Sequence, residues 1–280
     1  MAEITAVSVG KLREMTNAGL MDCKRALIEA DGNLDAAVDI LRKKGVASAA
    51  KKASRDAKEG VIAQHIQSGA RVGVLVEVNC ETDFVAKNET FRAFCDEVAR
   101  LLVADPKVDL EPMRTAQVAK IGENIKISRH HRLAVEGNGL VAAYIHTGAK
   151  VGVLVEVGAG KETTVAHDDF KQLVRDITLQ IAAGHPFVVS RDQVDPDLLA
   201  KEKEIAAEQV KNKPPQAIAK IIEGKLEKFY QSYCLVDQGF VKRNSEVTVK
   251  EHAASVAKQL GDGIVIRRFV RFQVGESLAD

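Results

Sequence analysis

The sequence predicts an α+β protein with three parts: an N-terminal three-helix bundle, a duplicated α+β core of two similar subdomains, and an inserted antiparallel helical hairpin. Three observations support this prediction. Apolar residues recur at helical spacing near the N-terminus, one segment occurs twice, and a charged helical stretch interrupted by two prolines follows the second copy. The length of 280 residues also favours two or three units, since domains usually hold about 100–200 residues.

Residues 1–45 are typical of a bundle of three short helices. The second helix is predicted by apolar residues at helical spacing, Leu20, Cys23, Leu27 and Ala30. Asn33 is suited to N-cap the third helix, and Gly45 is expected to end it. A weaker first helix is expected around Val9, Leu12 and Met15.

Residues 46–58 are predicted to be a basic linker. Counted from Arg42, this stretch holds seven lysines and arginines against a single acidic residue, Asp56. A solvated helical linker is the simpler interpretation. The alternative is a patch that binds nucleic acid or an acidic partner.

An internal repeat is the most informative feature of the chain. Residues 60–78 read GVIAQHIQSGARVGVLVEV, residues 139–157 read GLVAAYIHTGAKVGVLVEV, and 12 of the 19 positions are identical at a constant offset of 79. Each copy predicts a β-hairpin, with its turn at Ser68-Gly69 or Thr147-Gly148. Two copies indicate duplication of one unit rather than a solenoid, which needs roughly three or more repeats.

A helix is predicted after each hairpin. Its apolar face consists of Phe91, Phe94, Cys95, Val98 and Leu102 in the first copy, and of Phe170, Leu173, Val174, Ile177 and Ile181 in the second. We therefore assign residues 59–138 to the first core subdomain, and residues 139–190 and 235–280 to the second. The segment Ile264–Val274 is expected to be a strand that completes the second sheet.

Residues 191–234 are predicted to be a helical hairpin inserted into the second subdomain. Asp195-Pro196 opens a charged helix, and Asn212-Lys213-Pro214-Pro215 interrupts it. A second helix then carries Ile218, Ile222, Lys225 and Phe229 on one face. The high charge and the narrow apolar stripe favour an antiparallel coiled-coil arm.

The composition excludes several classes of function. Lys+Arg 40 against Asp+Glu 39 gives a net charge of +1, so no overall field attracts nucleic acid or an anionic membrane. Aromatic residues, at 4%, are too few to favour stacking on nucleic-acid bases. The four scattered cysteines argue against a structural metal site or a disulfide framework. With no apolar run long enough for a membrane span and no signal peptide, a cytoplasmic protein is expected.

No catalytic constellation is evident in the sequence. The segment Gly158–Thr163 resembles a phosphate-binding loop, but Val155 replaces the first glycine of that motif and Glu162 replaces its hydroxyl. A strand-to-helix loop is therefore favoured over a nucleotide site. The isolated histidines form no metal or catalytic motif. A protein-binding function is the stronger hypothesis, with no enzyme activity, no cofactor and no small-molecule substrate expected.

The two copies diverge just after the shared strand. Copy one continues Asn79-Cys80-Glu81-Thr82-Asp83-Phe84, which places Phe84 in a loop before a helix that begins near Asn88. Copy two has no large apolar residue there. A large apolar residue in a loop is either a local hydrophobic plug or a probe presented to a partner, and both alternatives stay open.

Three motifs resemble the bacterial elongation factor Ts family. They are Leu12–Leu27 (LREMTNAGLMDCKRAL), Asn79–Lys87 (NCETDFVAK) and Ile121–Ile125 (IGENI). The resemblance covers essentially the whole chain in order. Asn17 and Leu20 depart from it, since glycine and methionine are common there, and the family's C-terminal extension is expected to be short or absent.

The resemblance implies a guanine-nucleotide exchange factor for elongation factor Tu, which it would bind in the GDP-bound and nucleotide-free forms. It implies a ubiquitin-associated-like bundle on the partner's GTPase domain and a core that lies along the rest of the partner. No membrane or direct nucleic-acid partner is expected. The competing interpretation is an RNA- or ribosome-associated protein that uses the stretch from Arg42 to Lys58.

The resemblance also assigns site residues. Thr82, Asp83, Phe84 and Val85 are expected to intrude beside the partner's Mg²⁺ site, with Phe84 as the wedge. Because Mg²⁺ demands near-octahedral geometry and bridges the nucleotide phosphates, a small shift of its surroundings weakens nucleotide binding. Asp83 either supports the loop or perturbs the metal's surroundings. The residues expected to dock the bundle on the partner are Arg13, Leu20, Met21 and Lys24.

Overall fold

The computed structural model describes residues 4–16, 18–210 and 214–276 of the chain. This part contains eleven α-helices and six strands. In chain order they are α1 (Ala6–Thr16), α2 (Leu20–Glu29), α3 (Leu34–Lys52), β1 (Glu59–Ile66), β2 (Val72–Cys80), α4 (Asp83–Lys87), α5 (Glu89–Ala104), α6 (Glu111–Ile121), β3 (Lys126–Ala134), β4 (Gly139–Ile145), β5 (Val151–Ala159), α7 (Glu162–Ala166), α8 (Asp168–Gly184), α9 (Pro196–Glu208), α10 (Pro215–Tyr233), α11 (Val249–Leu260) and β6 (Ile264–Gln273).

The strands form two three-stranded sheets, in the orders β1-β2-β3 and β4-β5-β6. In the second sheet β4 pairs antiparallel with β5, and Gly139 lies opposite Gly158. The mixed α+β architecture predicted from the sequence is therefore confirmed. So is the prediction that the last strand completes the second sheet.

The predicted hairpin turns occur in both copies of the repeat. Gly69 and Gly148 adopt left-handed backbone conformations, with φ of 82° and 86°. Each turn is closed by a 2.9 Å backbone hydrogen bond, from Gln67 to Val72 in the first copy and from His146 to Val151 in the second. Only glycine adopts such φ values readily, so the two glycines fix where each hairpin folds back.

The helix after each hairpin buries the apolar face predicted for it. All ten predicted residues of α5 and α8 are less than 9% exposed. In the second copy α8 packs against β4 and β5. The second copy is thus a layer of helix on a small sheet.

Helices α1, α2 and α3 pack against one another around a small buried core. The buried residues of that core are Val9, Leu12, Cys23, Ala26, Leu27 and Ala37. Asn33 caps α3 as predicted, since its side chain accepts a 3.0 Å hydrogen bond from the backbone N–H of Ala36. Asn17 lies outside the described residues.

Gly45 does not end α3, so that expectation is wrong. The helix continues through the basic segment to Lys52. Gly45 is buried against α6, where a Cβ would lie 3.6 Å from the methyl group of Ala119. Packing against α6 keeps this stretch helical and offsets the low helix propensity of glycine.

Helices α9 and α10 occupy the segment predicted to form the helical hairpin, and they pack against each other. Asp195 N-caps α9 as expected, and its carboxylate accepts hydrogen bonds from two backbone N–H groups. Asn212 and Lys213 of the predicted break lie outside the described residues. The Arg191 guanidinium donates 2.7 Å hydrogen bonds to Glu227 of α10 and to Asp237, and so anchors α10 at its C-terminal end.

Contacts divide the described residues into two compact units. The first comprises those within Met1–Ala63, Val76–His130 and Gln273–Asp280, and it contains helices α1 to α6. The second comprises Gln64–Leu75 and His131–Phe272, and it contains helices α7 to α11. No helix in the described ranges is long and apolar enough to cross a membrane.

Candidate functional site

The predicted loop after β2 is a single helical turn, α4. Thr82 caps its N-terminus, since the hydroxyl accepts a 3.3 Å hydrogen bond from the backbone N–H of Val85. Asn88 then caps α5, and its side chain accepts from the N–H groups of Thr90 and Phe91. Two caps in succession lead the chain out of the strand, through one turn, and into the next helix. The sequence prediction that the following helix begins near Asn88 is confirmed.

Phe84 is presented at the surface of this turn. Its side chain is 80% exposed, although Ala86, two residues later, is buried. Phe84 therefore does not plug the core, which excludes one of the two alternatives that the sequence left open. The side chain is therefore accessible to another protein.

Asp83 pairs with Lys87 within the same turn. The carboxylate accepts a 2.7 Å hydrogen bond from the Lys87 ammonium group, at the favourable i,i+4 spacing. That hydrogen bond lowers the pKa of Asp83, so the carboxylate is ionised at neutral pH. In the unbound protein the Asp83 carboxylate is thus paired within the turn that carries Phe84.

Glu123 holds the start of the turn from a loop about 40 residues further along the chain. One carboxylate oxygen accepts hydrogen bonds from the backbone N–H groups of Glu81 and Thr82, each 3.0 Å long. The other accepts a 2.7 Å hydrogen bond from the Thr82 hydroxyl. Glu123 lies in the Ile121–Ile125 motif, but sequence reasoning assigned it no role. The sequence feature that could have indicated a role is the position of Glu123 directly after Gly122, a glycine suited to end a helix.

Asn124 connects the same turn to the segment that follows α3. Its backbone N–H donates a 2.6 Å hydrogen bond to the carboxylate of Glu81. Its side-chain amide donates to the backbone carbonyl of Arg55 at 2.8 Å. Asn124 itself is only 1% exposed, and its two hydrogen bonds join the turn to the end of the basic segment.

Two further contacts hold the backbone carbonyls of the turn. The thiol of Cys80 donates to the carbonyl of Thr82 at 3.2 Å, and the Arg92 side chain donates to the carbonyl of Ala86 at 3.1 Å. Burial raises the pKa of Cys95 in the neighbouring helix, which disfavours a reactive thiolate there. The Cys95 thiol is therefore not an activated nucleophile.

The predicted docking residues lie on the surface of the N-terminal bundle. Leu20 and Met21 are 54% and 61% exposed, and Lys24 is also exposed on the same helix, α2. Arg13 is exposed on α1, which packs against α2. Exposed apolar side chains flanked by basic ones form a surface suited to contact another protein.

The glycine-rich segment of the second copy connects β5 to α7, as the sequence analysis favoured. The Asp262 carboxylate occupies the space beside Gly160, and the Arg267 guanidinium occupies the space beside Gly158. The glycines therefore make room for side chains of this protein rather than for a phosphate. Among the described residues, no group of His, Cys, Asp or Glu is arranged to hold a metal ion.

The family model described as "Elongation factor TS" matches residues 81–276, which is more than half of the chain. This chain belongs to the elongation factor Ts family. The match begins at Glu81, so it includes the turn that carries Phe84, the loop with Glu123, and the whole second sheet. The family resemblance read from the sequence motifs is confirmed.

Curated relatives extend the similarity to the N-terminal bundle. The elongation factor Ts of Clostridioides difficile is 44% identical over 294 residues, covering 99% of this chain and 95% of the relative. That of Symbiobacterium thermophilum is 44% identical over 287 residues, covering 99% of this chain and 94% of the relative. That of Nautilia profundicola is 43% identical over 293 residues, covering 99% and 95%.

Proposed function

We propose that this member of the elongation factor Ts family is the guanine-nucleotide exchange factor for elongation factor Tu in translation elongation. Membership of the elongation factor Ts family supports elongation factor Tu as the partner. The observation that supports the mechanism is Phe84, which is 80% exposed at the surface of a turn whose Thr82 donates hydrogen bonds to Glu123. A side chain that contributes so little to its own fold is available to act on another protein.

We infer that the factor binds the GDP-bound partner and inserts the turn Thr82–Val85 beside the partner's Mg²⁺ site. Phe84 is the wedge, and the ion pair of Asp83 with Lys87 supports the turn. Displacing polar groups around Mg²⁺ weakens its octahedral coordination and its bridge to the phosphates. GDP then leaves faster.

Exchange of this kind is a coupling between two binding equilibria. The factor must bind the nucleotide-free partner more tightly than the GDP-bound partner, and it then loosens GDP by the same factor. Each 1.4 kcal/mol by which the factor prefers the nucleotide-free partner lowers the partner's affinity for GDP about tenfold. No covalent bond changes, so the mechanism needs no catalytic residue, cofactor or small-molecule substrate, and the protein is not an enzyme in that sense.

We assign docking to the N-terminal bundle. In this proposal the bundle is ubiquitin-associated-like, and Arg13, Leu20, Met21 and Lys24 contact the GTPase domain of the partner. The exposed apolar surface of α2 supports that assignment. Helices α9 and α10, packed together, support an antiparallel coiled-coil arm. The protein would act in the cytoplasm with the rest of the translation machinery.

The test is release of fluorescent GDP from purified elongation factor Tu, with and without this protein. In Mg²⁺ the protein should accelerate release strongly. With excess chelator, release from the partner alone becomes fast, so the fold acceleration should shrink if the factor acts through the Mg²⁺ site. No acceleration in Mg²⁺ would refute the proposed function. The RNA-binding alternative would instead give RNA affinity with a steep dependence on salt.

A further inference from the structure

In each copy of the repeat, one carboxylate from a distant loop holds the turn that follows the second strand. In the first copy, Glu123 accepts a hydrogen bond from the backbone N–H of Thr82 at 3.0 Å. In the second copy, Asp262 accepts one from the backbone N–H of Lys161 at 2.8 Å. Thr82 and Lys161 are equivalent by the offset of 79, and both are N-cap residues of a five-residue helix. We call this arrangement the carboxylate clamp.

Both clamp residues occupy the same place in the fold, directly after a glycine that ends a helix. Glu123 follows Gly122, the left-handed residue that ends α6 with φ of 87°. Asp262 follows Gly261, the left-handed residue that ends α11 with φ of 59°. In both copies the third strand of the sheet begins within three residues after the clamp residue. The clamp is therefore a feature of the duplicated unit and is independent of what the turn presents.

Only the first copy connects its clamp to a large apolar side chain. The Thr82 hydroxyl donates to Glu123 and accepts from the backbone N–H of Val85, so Thr82 joins Glu123 to the turn that carries Phe84. In the second copy Lys161 makes no side-chain capping hydrogen bond, and Thr163 stands at the position equivalent to Phe84. The second clamp thus holds a turn without a wedge.

We propose that Glu123 is a positioning residue for nucleotide exchange, which holds Phe84 in the orientation that acts on the partner. This inference rests on the proposed function. A turn that is already ordered loses little conformational freedom on binding, and its side chain meets the partner in one orientation. Because Glu123 does not touch the partner in this scheme, its loss lowers the maximal rate more than it weakens binding.

The experiment measures GDP release by stopped flow at several factor concentrations, which separates the maximal rate from the half-saturating concentration. Glu123→Ala removes three hydrogen bonds to the turn and should lower the maximal rate about tenfold, since hydrogen bonds to a charged group are worth roughly that factor or more. The half-saturating concentration should change little. Glu123→Gln should keep most of the rate, because its amide oxygen still accepts from backbone N–H groups.

Asp262→Ala is the matched control, because it removes the clamp of the other copy. It should leave the maximal rate unchanged while lowering the thermal unfolding midpoint about as much as Glu123→Ala does. Thr82→Val provides a second test should Glu123→Ala fail to fold. It removes the hydroxyl that joins Glu123 to Val85, and it should also lower the maximal rate.

Three results would overturn the inference. The first is an unchanged maximal rate in both Glu123→Ala and Thr82→Val. The second is a loss of maximal rate in Asp262→Ala equal to that in Glu123→Ala, and the third is a Glu123→Ala variant in which only the half-saturating concentration changes. Each of these is read against a wild-type protein that does accelerate GDP release. If the wild type gives no acceleration, the proposed function itself fails, so the two failures are distinguishable.

Discussion

Glu77 and Glu156 occupy the same position in the two copies of the repeat, and each is a buried carboxylate paired with arginine from the third strand of its sheet. Glu77 accepts a 2.7 Å hydrogen bond from Arg129 of β3. Glu156 accepts from Arg268 at 2.7 Å and from Arg267 at 2.8 Å, both in β6. The duplicated unit therefore includes an ion pair that fixes its third strand, although that strand lies outside the recognisable repeat.

The ion pairs of Glu156 predict how stability depends on pH. Burial raises the pKa of Glu156, but the hydrogen bonds from Arg267 and Arg268 outweigh it and bring the pKa below the ordinary value of 4.5. A carboxylate with a lowered pKa stabilises the fold above its unfolded-state value, and that stabilisation is lost as the pH falls through the folded-state value. The wild type should therefore lose stability below about pH 4.5.

Glu156→Gln tests this assignment. It should cost about 2–3 kcal/mol of unfolding free energy at neutral pH, because two arginines lose their charged partner, and the difference should shrink below pH 4.5. Urea unfolding at a series of pH values measures it. Glu97→Gln is the control, since solvent screens the exposed pair of Glu97 with Arg100 and its loss should change the unfolding free energy little. A Glu156→Gln deficit that is constant across pH would contradict the assignment.

Gly45→Ala should stabilise the protein. Gly45 lies inside a helix, and a Cβ there would make ordinary contacts with Ala119 and Thr115 at 3.6 and 3.9 Å. Alanine should add about 0.5–1 kcal/mol through helix propensity without overpacking. Gly45→Leu should destabilise, because the longer side chain cannot fit against α6. If both variants destabilise equally, α3 and α6 pack more closely than the structure indicates.

The double variant Arg13→Ala and Met21→Ala should weaken complex formation with elongation factor Tu. Its dissociation constant should rise about tenfold, while GDP release at saturating factor stays near the wild-type rate, because these residues dock and do not act on the nucleotide. Titration calorimetry measures the affinity. Lys43→Ala with Val46→Ala removes a basic and an apolar side chain that are exposed on α3, and it serves as the matched control. An unchanged dissociation constant in the first variant would remove the bundle from the docking assignment.

The two turns should differ in what they contribute to exchange. Asp83→Ser with Phe84→Ser should abolish most of the maximal acceleration of GDP release. The equivalent change in α7, Glu162→Ser with Thr163→Ser, should mainly raise the half-saturating concentration, because that turn carries no apolar wedge. Stopped-flow release at several factor concentrations separates the two effects. Equal losses of maximal rate would show that the asymmetry between the copies is not where the mechanism lies.

Local patterns predicted most of the fold. The repeat and its turn glycines predicted both hairpins, and the apolar spacing predicted the buried faces of α5 and α8, since period and turn chemistry are properties of short segments. Gly45 was misread because glycine commonly ends helices, whereas here α6, about 70 residues away, holds the helix together. Strand β3 went unassigned because its charged residues recur every third residue rather than alternating with apolar ones as in a half-buried strand.

The candidate site was predicted only in part. The Asn79–Lys87 motif identified the turn. The exposure of Phe84 depends on which surfaces the rest of the fold covers, and no local sequence pattern predicts that. The hydrogen bonds of Glu123 were not predicted for the same reason, because its partners lie about 40 residues away in sequence. Long-range hydrogen bonds of this kind become visible only when the topology brings β2 beside the loop that follows α6.

The most direct test of the account is the maximal rate of GDP release from elongation factor Tu driven by Phe84→Ala. Because Phe84 is 80% exposed, the variant should keep its unfolding free energy within about 0.5 kcal/mol of the wild type. It should lose roughly ten- to a hundredfold in maximal rate, the equivalent of burying one phenylalanine side chain against the partner. A stable variant that drives release at the wild-type rate would contradict the central claim that Phe84 is the wedge.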